Sequence, residues 1–278
     1  MADERVVLVT GCSGGIGLAT ATALAAAGWC VIATVRTSEQ QAAVDARPPD
    51  ETRPLDVRRL DVTDEAAVAR TVEAIVTDHG RLDAVVNNAG MGHEGTVETD
   101  SVANTRAVMD ANFFGLVHVA KATMPPLRAS RGRLVAVSSV AGAVGQPFNE
   151  AYCAAKHAVD GFCESLAPVA QAQGVQVIVV QPGAVATEFA VKARAHAMPD
   201  VGEAYAGLLD SYHRFMDGAA AGGQTPAEVA AVIRATLEDP DPGYRVQTSR
   251  LARAIIGKSL ADLDGRAIQS LTSKWIAT

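Results

Sequence analysis

The chain predicts an α/β fold in which one parallel sheet is doubly wound by helices. Three observations carry this. Short β-branched runs alternate with longer amphipathic stretches, several of those runs are apolar at consecutive positions, and a glycine-rich loop follows the first of them. Strands covered on both faces read as continuous apolar segments, and strand–helix alternation gives parallel neighbours joined by right-handed crossovers.

The predicted strands are 6–10, 31–35, 57–60, 84–87, 134–138 and 175–181, each rich in Val, Ile or Leu. Between them, Ala-rich or amphipathic patterns predict helices at 16–27, 65–78, 106–129 and 150–173. Segment 187–223 is too long for an ordinary connection. It carries His196, Pro199, Tyr205, Leu208, Leu209, Tyr212, His213 and Phe215 before Gly222 and Gly223, and reads as a functional lid or a partly mobile insertion. Thr225 is an expected N-cap, with Pro226 opening a helix at 226–238. A last strand at 244–248 and a helical tail at about 251–276 complete a single domain over 1–278, with no linker or repeat in the first 187 residues.

With 49% hydrophobic and 20% charged residues, the 278-residue chain can bury a large core. Its net charge of −7 argues against nonspecific binding to nucleic acid or anionic membrane, so an anionic ligand needs a local site. Cys12, Cys30, Cys153 and Cys163 form no C-x-x-C pair and lack histidines at zinc spacing, so reduced thiols and no metal are expected. MADERVVLVTG enters a strand at once without a signal-like segment, and no apolar run reaches the ~18 residues that span a bilayer. A soluble cytoplasmic protein is the expectation.

The loop TGCSGGIG, Thr10 to Gly17, sits between the first strand and an Ala-rich helix. There glycines permit a tight turn and let backbone amides meet a pyrophosphate at a helix N-terminus. Gly11, Gly15 and Gly17 fit T-G-x-x-x-G-x-G, whereas Gly14 also lets the stretch fit T-G-x-x-G-x-x-G; Ser13 and Ile16 complete the loop. Nineteen residues beyond Gly17 stands Arg36, after Val35, where an acid would hold a ribose 2′-hydroxyl. An Arg accommodates a 2′-phosphate, so NADP(H) is expected over NAD(H), with NAD(H) as the alternative; the plain reading of Arg36 is a solvated strand-end side chain.

Ser139 precedes Tyr152 by 13 residues, and Lys156 follows Tyr152 by four. Tyrosine has an ordinary pKa near ~10, and a lysine one helical turn away favours the phenolate. Such Tyr–Lys pairs also arise on solvated helices by chance, so the rest of the chain must decide.

The motifs TGCSGGIG, Asp61-Val62 in LDVTD, Asn87-Asn88-Ala89-Gly90, Asn112, Ser139, YCAAK at 152–156 and PGAVAT at 182–187 come in order and nearly span the chain. In this they resemble the short-chain dehydrogenase/reductase family, single-domain type, and the NNAG stretch and serine spacing remove the glycine ambiguity. The resemblance implies a Rossmann-like sheet of seven parallel strands and a catalytic set of Asn112, Ser139, Tyr152 and Lys156. It places Asp61 and Val62 at the adenine, Asn87, Asn88, Ala89 and Gly90 along the cofactor, and Pro182, Gly183, Val185 and Thr187 at the nicotinamide. It further implies that Tyr152 and Lys156 border the cofactor, and that a homodimer or homotetramer forms through helices 106–129 and 150–173. ATVRT, the run 145–167 and HRF at 213–215 are similar to the 17β-hydroxysteroid dehydrogenase type 1 and retinol dehydrogenase branch, although MDGAAAGG after HRF departs from it.

The expected activity is therefore interconversion of a ketone and an alcohol on a small, lipophilic carbonyl or alcohol substrate. Val144, Gln146, Phe148, Asn149, Phe189, Ser139 and His93 are candidates for the substrate pocket, with core packing as the competing reading for the apolar ones. A non-catalytic cofactor-binding regulator predicts a lost catalytic position, and all four are present. An isomerase or dehydratase with bound cofactor is disfavoured by the same spacings.

Overall fold

A computed structural model describes residues 4–46, 54–195 and 201–277. Seven parallel strands form one sheet: β1 (Val6–Val9), β2 (Cys30–Val35), β3 (Asp56–Arg59), β4 (Ala84–Asn87), β5 (Arg133–Val137), β6 (Gln176–Gln181) and β7 (Arg245–Gln247). Their order is β3-β2-β1-β4-β5-β6-β7, so the sheet winds outward in both directions from the β1/β4 pair. That reversal opens a crevice at the strands' C-terminal ends, where the two central loops diverge. All six strands expected before residue 182 and the strand expected at 244–248 are present within a residue or two.

The helices are α1 (Gly15–Ala26), α2 (Ser38–Asp45), α3 (Glu65–His79), α4 (Val102–Met109), α5 (Gly115–Ser130), α6 (Glu150–Gln171), α7 (Phe189–Ala195), α8 (Glu203–Ala221), α9 (Pro226–Glu238), α10 (Arg250–Ala261) and α11 (Arg266–Thr272). Alternate strand residues serve opposite layers. Leu8, Ile32, Val85 and Leu134 pack under α3, α5 and α6. Val7, Val31, Val86 and Val135 pack under α1 and α9. Each fully buried aliphatic side chain contributes roughly 1.5–3 kcal/mol, which is why every central strand reads as an unbroken apolar run.

Three expectations need revision. The helix expected at 106–129 is α4 and α5 joined through a π-helical turn, Asp110–Phe114, that contains Asn112. Segment 187–223, expected as a lid or a partly mobile insertion, holds two helices, α7 and α8, while His196 and Pro199 lie outside the described residues. The tail is broken between α10 and α11, where Gly265 takes φ +76°. Helix α2 had no apolar periodicity to announce it, and a Thr37–Gln40 capping box starts it. Thr225 caps α9 as expected, in a capping box with Glu228.

The glycine loop is tightly interlocked. Gly11 has φ +75°, and a Cβ on Gly17 would lie 2.2 Å from the Gly11 carbonyl oxygen. Around Gly14, by contrast, nothing lies within 4 Å of a Cβ position. Gly17→Ala is expected to destabilise the fold by about 2–4 kcal/mol, a rearrangement cost, whereas Gly14→Ala keeps wild-type stability. Urea unfolding of both variants checks this, and equal midpoints would contradict the steric argument.

Candidate active site

Ser139, Tyr152, Lys156 and Asn112 converge above the C-terminal ends of β4 and β5. Ser139 directly follows Ser138 at the end of β5 and caps a short 3-10 turn, its Oγ accepting from Ala141 N–H at 3.1 Å. Its hydroxyl stands near enough to the Tyr152 phenol to favour the phenolate. Helix α6 carries Tyr152 and Lys156 one turn apart, and the Lys156 Nζ lies 5.6 Å from the Tyr152 ring centroid. The Lys156 ammonium donates to the Val137 carbonyl at 3.0 Å and is 5% exposed.

Asn112 sits in the π turn, 1% exposed. Its Nδ2 donates to Val108 O and Met91 O, both at 2.9 Å, which pins the widened turn to the loop after β4. Its buried Oδ1 has no protein partner. A Cβ at Gly90 would stand 2.4 Å from that oxygen and 3.9 Å from Lys156 Nζ, so the glycine keeps both groups open to one small space.

Electrostatics push the tyrosine the wrong way for a base. Burial raises the Tyr152 phenol well above its ordinary value, and the neighbouring Ser139 hydroxyl only partly opposes it. Burial also lowers Lys156 to about 8, opposed by Asp160 and Cys163.

On the other side of the crevice, Asn88 Nδ2 donates to the Thr10 and Gly11 carbonyls at 3.0 and 3.1 Å, while Thr10 Oγ1 accepts from Asn88 N–H and Ala89 N–H. Asn88 thus clamps the loop after β4 to the glycine loop. Helix α1 starts at Gly14 and Gly15 with no side-chain cap on its free N–H groups, next to exposed Ser13 and half-buried Ile16. Asn87 Oδ1 is buried and unpartnered nearby. Open space at Gly14 and uncapped amides at a helix start suit a pyrophosphate. Arg36 is exposed directly after β2, its backbone N–H donating to Gln40 Oε1 at 2.9 Å. Asp61 is turned onto Thr63, accepting from its N–H and hydroxyl, and Val62 is buried against Gly115. Pro182 O accepts from Val140 N–H; Gly183 lies over Ala252, Val185 bridges to Gln224, and Thr187 Cγ2 is 3.3 Å from a Gly15 Cβ position.

The substrate-side candidates divide. Phe189 stands over Tyr152, ring centroids 5.5 Å apart. Phe148 packs on Tyr212 of the lid, and Asn149 donates to the Tyr212 hydroxyl. Gln146 is half-buried, its backbone N–H on Cys153 Sγ at 3.3 Å. Val144 proves to be core, buried with Val140, Ala252 and Ile256 under α10. His93 is a buried partner of Asp100 at 2.6 Å, so neither its position nor its chemistry is spare for substrate.

Sequence reading missed the contact that holds α7 and α8 to the loop after β4. Buried Glu94 accepts from His213 Nε2 at 2.6 Å and lies 3.9 Å from Arg194 Nε, while Arg194 also pairs with Asp217 at 2.8 Å. Partners 119 residues apart leave no local signal.

A nucleotide-binding crevice with a Ser–Tyr–Lys cluster at its mouth defines a dinucleotide-dependent oxidoreductase class. The short chain dehydrogenase family profile matches residues 5–197. Estradiol 17-beta-dehydrogenase 1 of Rattus norvegicus is 36% identical over 256 residues, covering 87% of this chain and 73% of the relative. Retinol dehydrogenase 8 of Bos taurus is 35% identical over 298 residues, covering 99% and 93%. The crystal structure of a short-chain dehydrogenase from Streptomyces avermitilis superposes with a TM-score of 0.81 at 29% identity, over 98% and 97% of the two chains. The chain belongs to the short chain dehydrogenase family and is an oxidoreductase of the hydroxysteroid and retinol dehydrogenase-like branch.

The buried lysine has a measurable signature. Its folded-state pKa of about 8 lies below the ordinary 10.5, so between those values the unfolded chain holds the extra proton and stability rises with pH. The rise approaches about 3 kcal/mol across that window. Urea unfolding of wild type and Lys156→Met from about pH 7.5 upward isolates it as the difference between the two; a difference independent of pH would contradict it.

Proposed function

We propose that the protein is an NADP(H)-dependent oxidoreductase that interconverts a ketone and a secondary alcohol, or an aldehyde and a primary alcohol, on a lipophilic substrate. The observation that carries this is the placement of the Ser139 hydroxyl beside the Tyr152 phenol, with Lys156 one turn beyond the tyrosine. Tyr152 is the general acid in reduction and the general base in oxidation. The nicotinamide cofactor supplies or accepts the hydride. Ser139 hydrogen-bonds the substrate oxygen and steadies the charge that grows on it. Because burial alone raises the Tyr152 pKa, a positive charge on Lys156 is needed to bring the phenolate within reach. Asn112 Oδ1, facing the same small space as Lys156, passes protons onward through water.

The uncapped start of α1, Gly14 and its open surroundings would hold the pyrophosphate, Asp61 and Val62 the adenine, and Asn87 and Gly90 the adjoining sugar, with Pro182, Gly183, Val185 and Thr187 toward the nicotinamide. Arg36, exposed at the end of β2, suits a 2′-phosphate. Lipophilicity of the substrate is supported by Phe189 over Tyr152, by the Phe148–Tyr212 contact and by relatives named for estradiol and retinol.

The deciding experiment follows NADPH and NADH consumption with a panel of steroids, retinoids, aromatic ketones and β-keto compounds. Tyr152→Phe is expected to keep NADPH affinity within about threefold while turnover falls by 10²-fold or more, the scale of a lost general acid. Retained turnover would defeat the mechanism, and no carbonyl turnover by the wild type would favour a regulatory protein. Arg36→Asp should lower the NADPH/NADH preference at least about tenfold, equal to one lost charge-assisted contact; an unchanged ratio would remove Arg36 from cofactor choice.

A further inference from the structure

Helix α6 carries another buried ionisable group, one turn beyond Lys156 on the same helix face. Asp160 is 6% exposed. Its Oδ2 accepts from Gln181 Nε2 at 2.6 Å, and Gln181 Oε1 in turn accepts from Gln247 Nε2 at 2.8 Å, so strand β7 fixes the direction of that amide. Oδ1 is buried without a partner, and the Ser138 hydroxyl stands beside the carboxylate without reaching good hydrogen-bond geometry. A Cβ at Gly142 would come within 2.7 Å of Oδ2, so the turn after Ser139 is shaped to leave the carboxylate room. Behind it lies a cavity of about 240 Å³ lined in part by His157, Glu164 and Arg245. Arg245 is hydrogen-bonded to Glu164, at 2.6 Å, and its charge also favours the Asp160 carboxylate.

A half-satisfied buried carboxylate is costly unless a nearby opposite charge compensates it. Lys156 has the reciprocal need. From α6 itself it faces Tyr152, Asp160 and the Cys163 thiol; from β5 the Val137 carbonyl, from the π turn neutral Asn112, and from the loop after β4 only Gly90. Burial lifts the Cys163 thiol to about 12, so it is neutral at physiological pH. Asp160 in turn faces Lys156, Cys163, the Arg245–Glu164 pair, neutral Ser138 and Gln181, and Tyr244, whose hydroxyl donates to the Asp160 carbonyl at 3.2 Å. Among the described groups acting on Lys156, Asp160 is the one carboxylic acid, although burial pushes its carboxyl above the usual carboxylate range.

We propose that Asp160 is a positioning residue for the reaction, its carboxylate holding the buried Lys156 in the ammonium form that Tyr152 requires. The inference rests on the reading of Lys156 given above and extends the machinery one turn further along α6. It also accounts for an incompletely satisfied acid behind a catalytic helix, where an apolar residue would pack at less cost.

The chain has five lysines, Lys121, Lys156, Lys192, Lys258 and Lys274, so NMR titration of protein labelled with [ε-¹³C]lysine resolves the buried one, assigned with Lys156→Met. The wild-type midpoint is expected near 8. Asp160→Asn, which keeps shape and the Gln181 contact, should lower it by about one unit or more, as one charge at close range in a partly buried site does. Asp160→Glu should return it toward the wild-type value. A folded Asp160→Asn protein with an unmoved Lys156 midpoint overturns the inference. If Asp160→Asn does not fold, [γ-¹³C]aspartate labelling of the wild type decides: a carboxyl resonance stepping at the Lys156 midpoint supports the pair, and no such step overturns it. The titration needs no substrate, so its failure leaves the proposed activity standing, whereas turnover by Tyr152→Phe sinks the activity and leaves the ion pair.

Discussion

Burial of the Lys156 ammonium is the constraint around which the site is arranged. A cation taken out of water at the centre of a fold is expensive, and each neighbour reduces that cost without removing the charge. Val137, the last residue of β5, supplies a carbonyl at 3.0 Å. Gly90 supplies absence of a side chain, which leaves Asn112 Oδ1 a view of the same space. Helix α6 supplies the register that sets Tyr152 one turn before and Asp160 one turn after. Strand ends, a π turn and a glycine are thus all consequences of keeping one lysine dry and charged.

The nucleotide side obeys a different constraint, close approach of backbones. β1 and β4 are neighbours at the point where strand order reverses, so the loops that follow them must diverge and still remain in register. Asn88 and Thr10 solve this by exchanging hydrogen bonds across the gap, and Gly17 allows the helix to start in contact with the Gly11 carbonyl. The loops therefore form one rigid unit, and only Gly14 is left with room around it. Rigidity here matters because helix-start amides attract a phosphate only while they point at it together.

Most of this architecture was legible because parallel strands covered on both faces have no alternative to continuous apolar sequence. Residues 6–9, 84–87 and 176–181 announce themselves in that way. Ser139, Tyr152 and Lys156 were legible as a spacing, and their convergence followed from strand β5 feeding helix α6. The π turn was not: DANFF carries no periodic signal, and its shape depends on Asn112 bonding Met91 and Val108, the first of them 21 residues away. His93 and Val144 were named as pocket candidates beside a plainer reading as loop or core residues. Proximity to a motif suggested the pocket, while a buried Asp100 and the C-terminal helix α10 claimed their side chains.

The lid carries the last piece of the argument. An apolar cover alone would be non-directional, and Phe189, Phe148 and Tyr212 could settle over Tyr152 in many ways. Polar clasps impose direction: Glu94 on His213, Glu98 on the Tyr205 hydroxyl at 2.5 Å, and Asn149 on Tyr212 each join α8 to a loop at the crevice mouth. Trp275 then stacks on Phe215 at 4.7 Å, so the C-terminal tail backs the lid from outside. Directional contacts at three points therefore hold α8 to the crevice mouth, and the Phe189 ring of α7 stands over Tyr152.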